Sequence, residues 1–304
     1  MAGGRERAVF WAVVALLVAG TAVAYRLLLG PEPGRPTAAA APAAAPVRLT
    51  VSRAAGEVTV VRGGVRTRVA PGAELRPEDA IETGPGARVA LAGGSYEVTL
   101  EEGGRFDVRE ITAELSRFHL AAGLVSANVQ EERGRTVEIE ASSGAVARTT
   151  SGEMAMARSG GVVAVGVQRG TAEFRSAGKA VLLKQGEQSV AAAGERPSPP
   201  APIPASLLLK VSWPAERATN QRRIVVTGRT APGAVVLLGD ERVDVQPDGR
   251  FMHVVVLREG RQRLTARAHG VAGAAHAEGP VVLLDTRAPD TRFDTRDLWV
   301  QPRK

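Results

Sequence analysis

Glycine followed by a short alternating run recurs through the middle of the chain, as Gly56-Glu57-Val58-Thr59-Val60, Gly123-Leu124-Val125-Ser126-Ala127 and Gly170-Thr171-Ala172-Glu173-Phe174. Alternation sets one face of a strand on a core and the other in solvent, whereas an amphipathic helix needs a period near 3.6. Turn-plus-strand pieces such as Pro71-Gly72-Ala73-Glu74-Leu75 and Gln185-Gly186-Glu187-Gln188-Ser189 lie between the repeats. The pattern predicts an all-β body over 47–193, built of short strands stacked into a compact roll or solenoid.

Two Pro-rich stretches set the boundaries. Residues 30–46 hold Gly-Pro-Glu-Pro-Gly-Arg-Pro and then little but Ala and Pro, too little side chain for a core, so they read as a spacer. Pro197-Ser198-Pro199-Pro200-Ala201-Pro202-Ile203-Pro204 lies in a second linker, 194–206. Beyond it, 207–285 offers seven candidate strands, starting near Leu207, Arg222, Ala234, Arg242, Arg250, Arg261 and Pro280, with turn signals at sandwich-like spacing. The hairpin around Gln246-Pro247-Asp248-Gly249 is the strongest local signal, because Pro presets φ and Gly supplies a positive one.

The N-terminus constrains location. Residues 8–25 carry no charge, Arg5 and Arg7 precede them, and Trp11 and Tyr25 lie near the ends as interfacial aromatics do. We expect a leader at 1–7 and a membrane-spanning anchor at 8–29, prolonged by Leu27, Leu28 and Leu29, with everything after it exported to the periplasm or beyond. The alternative is a cleaved signal peptide, since Ala22-Val23-Ala24 has the form of a cleavage site and would release a secreted protein.

The order of several motifs resembles the FecR-type periplasmic domain: Gly56-Glu57-Val58, Gly72-Ala73-Glu74-Leu75, Asp79-Ala80-Ile81-Glu82-Thr83-Gly84, Ala87-Arg88-Val89-Ala90-Leu91, then Gly170-Thr171-Ala172-Glu173-Phe174 and Gly186-Glu187-Gln188. The resemblance covers about half the chain and implies a β-domain of a transmembrane signalling regulator. The Arg-Gly-Thr centre usual in that family is degenerate here, reading Ala147-Arg148-Thr149-Thr150-Ser151-Gly152, and the leader is short for a sigma-binding segment. Residues 207–285 look like a bacterial Ig-like module, a type that usually adheres or spaces. Asp285-Thr286-Arg287-Ala288-Pro289 is similar to the junction between successive modules, leaving 286–304 as a polar tail.

Composition removes several chemistries. Cysteine is absent, so there is no disulfide, thiolate metal site or thiol nucleophile. The net charge of +7 is spread along the chain, and 47–193 is neutral, so no segment has the concentrated basic footprint of a nucleic-acid binder. His119, His253, His269 and His276 lack metal-ligand spacing, and His253 reads as a half-buried structural imidazole. No nucleophile elbow, phosphate loop or paired-carboxylate site is legible, so the expectation is no enzyme, no metal and no cofactor.

One surface pattern is left. Arg261, Arg263, Thr265, Arg267 and His269 share one strand parity, with Leu264, Ala266 and Ala268 on the other. Three guanidiniums on one face make Arg261, Arg263 and Arg267 the candidate contact for an anionic polymer. The sequence thus predicts an inner-membrane-anchored envelope protein that binds or scaffolds a protein or cell-wall polymer. A FecR-type regulator and a cell-wall hydrolase, whose site would form only in three dimensions, are the alternatives.

Overall fold

The computed structural model describes residues 47–131, 134–215 and 217–287; the leader, the apolar run, the first linker and the tail from 288 onward lie outside them. Among the described residues there is no helix, and so none long and apolar enough to cross a membrane. The described chain is all-β. Alternation is realised strand by strand, as where Tyr96, Val98 and Leu100 are buried while Glu97 and Thr99 between them are partly exposed.

The body begins with β1 (Leu49–Ala55), β2 (Val58–Arg62), β3 (Val65–Arg68) and β4 (Glu74–Leu75). Then follow β5 (Ala80–Thr83), β6 (Arg88–Ala92), β7 (Tyr96–Leu100), β8 (Arg105–Ile111) and the long β9 (Leu115–Val129). Next are β10 (Thr136–Ala141), β11 (Val146–Thr149), β12 (Gly152–Ser159) and a second long strand, β13 (Val162–Ser176). β14 (Lys179–Lys184), β15 (Glu187–Ala192) and β16 (Ala201–Pro202) close it.

These form one 16-stranded sheet rolled into two layers. One layer contains β16, β15, β13, β12, β9, β7, β6, β1 and β4. The other contains β14, β13, β11, β10, β9, β8, β5, β2 and β3. All pairings are antiparallel except that of β10 with β9, so the parallel stacking of a solenoid is not what the alternating runs build. Between the layers Phe106 stacks on Phe118 with centroids 4.9 Å apart, and Tyr96 meets Phe118 edge-on.

Two of the three recurring glycines do not start strands, contrary to the sequence reading; they bend long ones. In β9 the residues that join the body's core are Phe118 and Leu120 before Gly123, and Val125, Ala127 and Val129 after it. In β13 they are Val163, Val165 and Val167 before Gly170, and Ala172 and Phe174 after it, while the alternate Ala164 is buried on the other face. The inward parity flips as the strand passes from one layer to the other. Gly123 has φ +110° and a Cβ there would lie 2.6 Å from Gly104 Cα; Gly170 has φ +79° and its Cβ would meet Ser151 O at 2.7 Å. Only glycine fits a left-handed residue pressed so closely on neighbouring backbone.

The Asp79-to-Gly84 motif is a structural corner. The Arg62 guanidinium donates two hydrogen bonds of 2.6 Å to the Asp79 carboxylate, and the Arg76 N–H donates a third at 2.8 Å. Four residues on, the Thr83 hydroxyl donates to Glu101 O at 2.6 Å and accepts from Gly104 N–H at 2.9 Å, while Gly84 N–H reaches Glu57 O. The motif satisfies buried polar groups where β5 meets its neighbours.

Residues 207–287 form a smaller module with its own core around Val226, Val236, Phe251, Ala266 and Ala268. Its strands are β17 (Leu209–Ser212), β18 (Ala218–Thr219), β19 (Arg223–Thr230), β20 (Val235–Leu238), β21 (Glu241–Val243), β22 (Arg250–Val256), β23 (Gly260–Gly270) and β24 (Gly273–Leu284). β17, β19 and β22 make a three-stranded sheet; β18, β24, β23, β20 and β21 make a five-stranded one. The last strand starts at Gly273, earlier than the predicted Pro280, because it pairs with β23 from Gly270 onward around a tight turn. The hairpin at 246–249 forms as read, with Gly249 N–H bonded to Gln246 O.

The Pro-rich segment between the two cores is held along β15. Ser198 N–H donates to Val190 O and Ile203 N–H to Gly186 O, Ser198 Oγ accepts from Val190 N–H, and β16 pairs with β15. Prolines lack a donor, so the stretch uses its few available N–H groups and a serine side chain to stay down.

Candidate functional site

The outer side of β12 and β13 is as apolar as the inner. Met154 and Met156 point into the body, and Ala155, Ala157 and Ala164 on the opposite face are also buried, in a cluster with Leu124 and Val271. A strand buried on both faces has something packed on its second side, and that is the smaller module. Ser159 Oγ accepts from Val245 N–H at 3.3 Å, Gln168 Nε2 donates to Val271 O at 3.1 Å, and Arg242 donates to Gly103 O at 2.9 Å.

Glu102, on the β7–β8 corner of the body, is the polar centre of this seam. Only 6% exposed, it accepts from Gly86 N–H at 2.6 Å, pairs with His269 Nε2 at 2.6 Å and lies 3.1 Å from the Arg267 guanidinium. Nearby, burial and then the Arg242 guanidinium push Arg158 below the usual guanidinium value, against the opposing pull of Asp244.

Along the same junction runs a cleft of about 460 Å³. It is lined by Ala164 of the body, Leu207 and Leu208 after the held segment, and Pro232, Val271 and Ala272 of the smaller module, together with the exposed charged side chains of Lys210, Arg229 and Asp248. This is the size and apolar character of a binding pocket, with a few polar groups to orient a ligand. Sequence reasoning missed it because it is made of residues from both modules, and no local pattern marks where two modules meet.

The predicted arginine stripe is partly engaged. Leu264, Ala266 and Ala268 are buried and Arg261, Arg263 and Arg267 point the other way, as the parity requires. Arg263 pairs with Glu278 at 2.7 Å, Arg267 is committed to Glu102 in the seam, and Arg261 is exposed opposite Leu283. The body's corner at Glu102 and Gly103 covers the far end of that strand, so the three guanidiniums share a face and have different surroundings.

Comparison with known proteins gives distant likenesses. No family model and no curated relative matches the chain. Two crystal structures of a candidate anti-sigma factor from Parabacteroides distasonis overlay with TM-score 0.36 at 15% and 16% identity, covering 40% of this chain and 59% of theirs. A polysaccharide lyase overlays with TM-score 0.20 at 12% identity, covering 80% of this chain and 40% of the lyase. The chain thus spans less than two thirds of each of these structures, and likeness at these scores fixes neither family nor role.

One further constellation formed only on folding. His119 Nδ1 lies 2.9 Å from Asp107 Oδ2 and its Nε2 lies 3.1 Å from Ser142 Oγ, the order of a nucleophilic triad. The three come from β8, β9 and the β10–β11 turn, on the outer face of the second layer. Arg105 and Arg109 flank the same Asp107 carboxylate, Ser142 is exposed, and the residues lining the junction cleft do not include them. His253 instead pairs with Glu241 at 2.8 Å on the smaller module.

Proposed function

We propose that this chain is a membrane-tethered envelope protein whose exported β-modules act together to bind a partner, with no chemistry of their own. The carrying observation is the junction cleft: a largely apolar pocket with charged groups along its lining, walled by both modules, beside the Glu102 seam that joins them. A spacer module tethered loosely to the body would not supply half of a pocket. The charge-free run at residues 8–25 supports the tether and the periplasmic side for both modules.

Within this reading, the body is of the FecR type and the smaller module Ig-like, which makes the receiving domain of a transmembrane regulator the more specific form of the role. Support for it is the order of the motifs from Gly56 to Gly186.

The tagged full-length chain should remain in carbonate-washed membranes and, after detergent extraction, crosslink to an envelope component through a photoreactive group near the cleft. Filling the cleft with Ala272→Trp should abolish that crosslink while the chain stays folded. An unchanged crosslink in Ala272→Trp, or a mature N-terminus at Tyr25, would overturn the corresponding half of the reading.

The hydrolase alternative has the Asp107–His119–Ser142 chain in its favour. A fluorophosphonate probe decides it. The binding reading expects no more labelling of the wild-type chain than of Ser142→Ala; label on Ser142 that disappears in His119→Gln would replace binding with acyl transfer.

A further inference from the structure

Three cations stand side by side on the outer face of the three-stranded sheet. Lys210 on β17 is in direct register with Arg229 on β19, which is in direct register with Arg250 on β22. Neighbouring strands are about 4.8 Å apart, so the row holds three positive charges within about 10 Å. Like charges directly opposite on a sheet destabilise it. Among the described residues only Arg250 has a carboxylate in reach, Asp248 at 3.3 Å, and all three side chains are exposed. An open groove of about 500 Å³, lined also by Ser212, Thr227, Gln246 and Met252, runs over the row.

The same face turns apolar along the strands. After Arg250, β22 presents Met252 at 67%, Val254 at 46% and Val256 at 58% exposure, and Val225 of β19, paired with Val254, is 54% exposed. Strand faces in solvent are ordinarily polar, and contiguous exposed apolar side chains mark an interaction surface. β22 is also the end strand of its sheet.

We propose that this face, from the cationic row to Val256, receives an extended acidic segment of a partner protein, its carboxylates on Lys210, Arg229 and Arg250 and its alternating apolar side chains on Met252, Val254, Val256 and Val225. The proposal rests on the binding reading above and names the chemistry of the partner. Charge complementarity favours an acidic partner over a second copy of this chain, since stacking two such faces row on row would bring cations onto cations. A phosphate or uronate polymer would satisfy the row and leave the apolar half uncovered, whereas an extended peptide has the two-residue side-chain period to meet both. Lys210 and Arg229 also line the junction cleft, which places the two surfaces side by side.

The test is fluorescence anisotropy on the full-length chain in detergent, with a labelled synthetic peptide that is glutamate-rich in its first half and alternates valine with serine in its second. Lys210→Gln, Arg229→Gln and Arg250→Gln together should weaken binding at least about tenfold and flatten its salt dependence. Met252→Ser, Val254→Thr and Val256→Thr together should weaken it several-fold with salt dependence retained. The same change to Gln at Arg261 and Arg263, exposed and away from this face and from the Glu102 seam, should have no effect. Absence of peptide binding would overturn the proposal, as would polygalacturonate binding equally well and untouched by the Met252, Val254 and Val256 changes. Peptide failure with the Ala272→Trp-sensitive crosslink intact sinks this proposal alone; loss of both sinks the binding reading with it.

Discussion

Replacing Glu102 with alanine should uncouple the two modules. The change removes the acceptor of Gly86 N–H and the carboxylate that holds the His269 ring, and leaves the Arg267 guanidinium with only Gly239 O at 3.1 Å and the exposed Asp240 at 3.9 Å. Breaking a buried pair by deleting one member costs on the order of 3–5 kcal/mol, because the remaining charge is left uncompensated. Arg267 is a third exposed and keeps Asp240 and Gly239 O, so a loss below that range, about 2 kcal/mol, is expected. Glu102→Gln keeps an acceptor and loses the charge, and should fall between. The informative measurement is limited proteolysis followed by urea unfolding. Wild type should resist cleavage within 194–206 because that segment is bonded along β15; Glu102→Ala should be cut there and unfold with a lower midpoint. Equal cleavage and equal midpoints in the two proteins would show that the apolar seam of Ala155, Ala157, Ala164 and Val271 suffices without the carboxylate.

The contrast between Glu102 and the arginine stripe shows what a sequence can reveal of such a protein. Alternation marked the strands and their buried faces, because side-chain period is a local property, and the parity of Arg261, Arg263 and Arg267 follows from it directly. Register is not local. That Lys210, Arg229 and Arg250 fall in one row depends on where each strand starts against its neighbours, and that Asp107, His119 and Ser142 meet depends on three elements. Even so, a trace of the seam was present: the run Met154-Ala155-Met156-Ala157 is apolar at both parities, which a strand with one solvated face does not need. The glycines were noticed and their role misassigned. A glycine opening a strand and a glycine bending one look alike until the residues before it are seen to alternate too, as Ser116, Phe118 and Leu120 do before Gly123.

Acid should weaken the body through Asp79, and the effect can be isolated. Burial by itself raises the pKa of a carboxyl group, but the Arg62 guanidinium and the Arg76 N–H outweigh it and hold Asp79 below the usual carboxylate range. A group whose folded pKa is lowered contributes stability that is fully present above its unfolded value, about 4, and lost as pH falls through the folded one. The wild-type urea midpoint should therefore decline as pH is lowered from about 4 toward 2. Asp79→Ala should already be destabilised at neutral pH, by about 2–3 kcal/mol, because the Arg76 N–H loses its acceptor at a site only 1% exposed and the half-exposed Arg62 loses its partner. Other carboxylates titrate over the same range, so the difference between the two proteins is the quantity to follow. It should shrink on acidification, as the wild type loses what the variant never had. Parallel curves would mean that the Asp79 side chain contributes equally in both protonation states, so that its charge adds nothing to the hydrogen bonds with Arg62 and Arg76.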